Sequence, residues 1–179
     1  MVFGLGYIGL ERLRHGQDEL RGILPKANLA ARVLHDSDVL RVIHVSLVGG
    51  GGNAEYVTKR LKRLKEVEEA LAATLDEFER LPWAADERAM VDRIATGMRR
   101  YMDAFPPVLA RARTASAAEI PELIEANTAF RREGYNLLLE LLPRIQGKGE
   151  QRVLADQQAA RRTQATMAAS LVLALALGL

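Results

Sequence analysis

The chain has 179 residues, enough for one domain or one domain with tails; 49% are apolar, only 5% are aromatic, and the formal net charge is +2. That charge is too small to mark a nucleic-acid-binding surface, and the lack of cysteine excludes a disulfide framework and a thiol nucleophile. An apolar set made mainly of Leu, Ala, Val and Ile, mixed with abundant Glu, Arg and Lys, points to a helical bundle.

Residues 1–10, MVFGLGYIGL, are apolar and rich in small residues, and the chain turns polar at Glu11. They include a G-x-G-x-x-G match from Gly4 to Gly9. Only Met1, Val2 and Phe3 could form the strand that such a motif needs, and no alternation of strands and helices follows. The segment reads instead as the end of a membrane helix, where small residues allow close packing.

From Glu11 to about Leu47, the residues Leu13, Leu20, Leu24, Ala27, Ala31 and Leu34 recur at steps of three, four and seven. That spacing predicts the buried seam of a long first helix, kinked at Pro25. Gly49 to Gly52 end it, and Asn53 suits the N-cap of a second helix over 54–81. There Val57, Leu61, Leu64, Leu71, Leu75 and Phe78 share a face. The opposite face opens with Lys59, Arg60, Lys62, Arg63 and Lys65 and then turns acidic, which reads as a solvated face with pairs such as Lys62–Glu66 and Lys65–Glu69.

Pro82 stops the second helix, and Asp86 is placed to cap a third over 86–114. This one is seamed by Met90, Ile94, Met98, Tyr101, Phe105 and Leu109, with Pro106–Pro107 expected to bend or break it. Ser116 suits the cap of a fourth helix over 118–164, which carries Ile124, Phe130, Leu138, Leu141, Ile145 and Leu154. After Arg162 no charge remains, and 165–179 reads as the start of a second membrane helix. The pattern predicts an all-α, antiparallel up-down-up-down four-helix bundle over 11–164, whose first and last helices run into membrane helices.

His15, His35 and His44 have no metal partner at zinc spacing. Neither a C-x-x-C-H haem site, a G-x-S-x-G elbow nor a phosphate loop is present. No enzyme activity and no cofactor are expected.

The segments GLGYIGLERL (4–13), ARARTASAAEIPELIEANTAF (110–130) and QQAARRTQATMAASLVLALALGL (157–179), with the long first helix, resemble the sensor domains of methyl-accepting chemotaxis receptors of the aspartate and serine type. The same kind of domain is found on some sensor kinases and cyclases. The resemblance implies a periplasmic sensor domain on a bacterial inner membrane and a homodimer. It also implies a small anionic ligand, such as a carboxylate, and a helix displacement passed across the membrane to a cytoplasmic output. Arg32 and Arg41 resemble the outer two of the ligand-binding arginines in that family, and Ser37 stands near the place of the middle one. Nine residues put Arg32 and Arg41 on opposite sides of a straight helix, so both can serve one ligand only across two chains. His35, a turn from Arg32, and Asn127 and Thr128, early on the fourth helix, complete the candidate site. The alternative reading of the same pattern is a soluble structural or docking bundle.

Overall fold

The computed structural model describes residues 2–50 and 54–176, with side chains described over 22–50 and 54–166. Four α-helices account for nearly all of it: α1 (Val2–Val48), α2 (Ala54–Arg80), α3 (Ala85–Ala112) and α4 (Ile120–Ala176). No strand occurs among the described residues. The chain is therefore all-α, in keeping with a helical bundle.

The helix ends follow from local chemistry. Gly50 takes a left-handed φ of 65°, which a residue with a side chain rarely adopts, and so closes α1. The Glu87 carboxylate accepts the Ala84 N–H at 3.2 Å, which starts α3 two residues earlier than Asp86 would as a cap. Before α4, the Ser116 N–H and hydroxyl both donate to Glu119, at 2.7 and 2.8 Å. Asn53 lies outside the described residues.

Pro25, Pro106–Pro107 and Pro143 all sit inside helices that continue through them. Each proline removes one backbone donor, a loss that a long helix with a packed face can absorb. Pro106 and Pro107 are both exposed, directly after the fully buried Phe105. Of the bend or break expected at Pro106–Pro107, the break does not occur.

Two compact units divide the chain, one of residues 26–143 and the other of 1–25 with 144–179. In the second, Gly149 of α4 faces Ile23 of α1, so that a Cβ there would lie 3.5 Å from the Ile23 methyl. Among the described residues no helix is long and apolar enough to cross a membrane. The stretches read as membrane helices, 1–10 and 165–179, lie outside the residues with described side chains except for Ala165 and Thr166.

The core of the 26–143 unit draws on all four helices: Val33, Leu40 and Ile43 from α1, Leu71, Leu75 and Phe78 from α2, Ile94, Met98, Tyr101 and Phe105 from α3, and Leu138 and Leu141 from α4. The seams of α2 and α3 are those the spacing predicts. The seam of α1 is not. Leu24 is 62% exposed and Ala31 is exposed, whereas the buried face runs through Leu29, Ala30, Val33, Ser37, Leu40, Ile43, His44 and Leu47. Two polar residues interrupt the apolar repeat on that face, so a search for leucines settles on the wrong side. On α4, Phe130 and Leu154 are likewise exposed, while Asn127, Arg131 and Gly134 turn inward.

Gly97 of α3 and Gly134 of α4 bring these two helices close. A Cβ on Gly134 would lie 3.2 Å from the Ile94 carbonyl and 3.3 Å from the Met98 methyl, whereas a Cβ on Gly147 meets nothing within 4 Å. Gly134→Ala is expected to destabilise the fold by about 1 kcal/mol or more, overpacking outweighing helix propensity. Gly147→Ala should stabilise it by about 0.5–1 kcal/mol. Urea unfolding midpoints of the two variants check both signs.

Candidate functional site

The two sides of α1 have different chemistry. At about 100° per residue, the buried positions from Leu29 to Val48 fill a little under half of the helix circumference. The exposed half carries Asn28, Ala31, His35, Asp38 and Val42 at alternating steps of three and four. Arg32 and Arg41 border this stripe, one on each side, and both are exposed. Neither is paired with a carboxylate among the described residues. Val42, at 59% exposure, is the large apolar side chain in the middle of the stripe.

The buried side of α1 leads into a polar cluster. His44 is 2% exposed, stacked parallel on Phe105 with centroids 3.5 Å apart and tilted against Tyr101 at 4.9 Å. The Asn127 side-chain amide lies 3.0 Å from His44 Nδ1. With the amide nitrogen donating, His44 accepts at Nδ1 and carries its proton on Nε2. Burial pushes the His44 pKa down to about 3, so the ring is neutral at ordinary pH. Burial likewise pushes the Tyr101 phenol up.

One turn further along α4, Arg131 is buried, 6% exposed, and its guanidinium is engaged on several sides. It pairs with the Asp38 carboxylate, donates to the Ser37 hydroxyl at 3.4 Å and lies 4.0 Å over the Tyr135 ring. Ser37 of α1 is thus reached by an arginine from α4. A cavity of about 10 Å³, lined by His44, Val45, Val48, Tyr101, Ile124, Asn127 and Thr128, lies beside the cluster, with room for about one water molecule.

The predicted site residues therefore fall in two places. Arg32, His35 and Arg41 are all exposed on α1, His35 within the stripe and the two arginines on its opposite borders, while Asn127 is buried on His44. Thr128 lines the cavity, its hydroxyl donating to the Ile124 carbonyl at 2.7 Å. The cavity that Asn127 and Thr128 line has none of Arg32, His35 and Arg41 in its wall. Sequence reasoning missed His44, Tyr101 and Arg131. The available signal was polar residues at helical spacing: Ser37 and His44 seven apart, Asn127 and Arg131 four apart. The basic run of α2 is a solvated face, with Arg63 on Glu66 at 3.1 Å and Lys65 near Glu69 at 3.8 Å. No cluster of three metal-ligating side chains occurs among the described residues.

Because the folded-state pKa of His44 lies below the unfolded value of 6.5, the unfolded chain binds the extra proton between about pH 6.5 and 3. Stability from this group is complete above pH 6.5 and is lost as the pH falls through that window, by up to about 1.4 kcal/mol per pH unit. Between pH 7 and pH 4.5 the wild-type chain should therefore lose about 2 kcal/mol more than His44→Gln, measured by urea unfolding at both values.

No protein-family model, no characterised protein and no solved structure matches the chain.

Proposed function

We propose that this chain is the ligand-sensing domain of a bacterial transmembrane receptor of the chemotaxis-receptor type, with its sensor bundle in the periplasm. In this reading it dimerises through the exposed side of α1. A small carboxylate-like anion binds at that interface between Arg32 of one copy and Arg41 of the other, with His35 as a further donor. The observation that carries the reading is the exposed stripe on α1. Its residues repeat at the steps by which two helices pack along a seam, and an arginine without a carboxylate partner among the described residues stands on each border.

The ion pairs and hydrogen bonds support an up-down-up-down course. Asp76 and Glu79 of α2 pair with Arg99 of α3. Arg93 and Arg111 of α3 pair with Glu133 and Glu119 around and within α4, and α4 meets α1 through His44–Asn127 and Asp38–Arg131. The last two contacts supply a route for the signal. Asp38 belongs to the exposed stripe while its partner Arg131 is buried on α4, so a shift of the stripe on ligand binding is passed to α4. Asn127 and Thr128 then act in this coupling, and α4 carries the displacement toward the membrane and the output beyond it.

Two measurements test the proposal. A panel of small carboxylates should raise the melting temperature, since a ligand at 100 times its dissociation constant stabilises by about 2.7 kcal/mol. Arg32→Ala and Arg41→Ala should each remove the shift; a shift that survives both, or none with any carboxylate, rules out this site. The chain has no cysteine, so single thiols report cleanly on the dimer. Ala31→Cys should cross-link into dimers and Lys62→Cys on α2 should not, whereas equal yields from both would mean random collision.

A further inference from the structure

A second site, away from the exposed stripe of α1, lies between α3 and α4. Asp92, Arg93, Thr96, Gly97 and Arg100 of α3 face Ala129, Phe130 and Glu133 of α4 across an open groove of about 340 Å³. That volume is at the lower end of the range for small-molecule pockets. Its origin is in the glycines. Gly97 and Gly134 let the two backbones approach, a Cβ on Gly97 lying 3.4 Å from the Gly134 nitrogen. With no side chain on Gly97 and only a methyl on Ala129, the floor of the groove is bare.

The charges around that floor do not balance. Arg93 spans the two helices to Glu133, with N–O distances of 2.8 and 3.1 Å, and closes one end. Asp92 is held by Arg88 at 2.9 Å. Among the described residues, Arg100 has no carboxylate partner, and the Thr96 hydroxyl one turn before it has no hydrogen bond. Phe130 stands on the α4 wall with 48% of its surface exposed, where a ring buried against a ligand would gain free energy that water does not give it.

We propose that this groove binds a small organic acid with a flat apolar body. Its carboxylate pairs with the Arg100 guanidinium and accepts from Thr96, and its body lies over Gly97 and Ala129 against the Phe130 ring. A cationic ligand would meet Arg100 and carboxylates that are already paired. A polypeptide running along the groove would meet the Arg93–Glu133 bridge. The planar fork of arginine suits a carboxylate held by two parallel bonds, so charge and shape select the same class.

Benzoate is the probe, titrated into the whole chain and followed by saturation-transfer NMR and calorimetry, with neutral benzamide as its partner. Saturable benzoate binding is expected, weakened about tenfold or more in Arg100→Gln, as for loss of a charge-assisted bond. Ala129→Leu, which fills the groove at an exposed helical position, should abolish binding, and Lys65→Gln on the solvated face of α2 should leave it unchanged. No saturable binding, or benzamide binding as tightly as benzoate, overturns the proposal. So does binding that survives both Arg100→Gln and Ala129→Leu. If Arg32→Ala alone removes binding, the acid belongs to the α1 stripe, and the groove site is again overturned.

Discussion

The hydrogen bond between Asn127 and His44 is the contact on which the arrangement of α1 against α4 depends. Both side chains are buried, and a buried polar group left without a partner costs about 1–3 kcal/mol. A slip of either helix by one turn would leave both unpaired and would also separate Arg131 from Ser37 and Asp38. Apolar contacts around Leu40 and Leu138 tolerate such slips far better, because one leucine packs much like another. The polar cluster therefore fixes register, and the apolar residues supply most of the burial energy.

This division of labour shapes both sides of α1. Turning Ser37 and His44 inward sends Ala31, His35 and Val42 outward. The exposed stripe is thus a geometric consequence of the polar interior, and Asp38 belongs to both. It lies on the stripe yet pairs with the buried Arg131. Half of the Asp38 side chain faces water, so solvent screens the pair and holds its stability contribution well below that of a wholly buried one.

Much of the fold was legible in the sequence, and the exceptions share a cause. The faces of α2 and α3 could be read because Leu64, Leu71, Leu75, Phe78 and then Met90, Ile94, Met98, Tyr101 and Phe105 keep their apolar repeat, the buried Thr74 and Glu87 standing beside these positions without replacing one. On α1, Ser37 and His44 broke the apolar repeat, and the outward Leu24 and Ala31 suggested another seam. Asn127, Arg131 and Gly134 did the same on α4, where Phe130 drew attention to the wrong face. Of the candidate site, the opposed positions of Arg32 and Arg41 followed from their nine-residue spacing alone. The partners of Asn127 could not be read, because a contact between residues 83 apart leaves no periodic trace.

The chain's single tryptophan sits where α1 meets the α2–α3 turn. Trp83 donates its indole N–H to the Phe78 carbonyl at 2.6 Å and packs edge-on against the Phe78 ring. The Lys26 ammonium of α1 lies 4.9 Å over its face and 3.9 Å from Glu87. An indole held between a carbonyl of α2 and a cation carried on α1 is a natural fluorophore whose emission depends on where that cation stands. Any sliding of α1 past the turn would move Lys26 along the ring and change the colour and yield of that emission. The protein thus carries its own optical gauge of first-helix motion, with no second tryptophan to blur the reading.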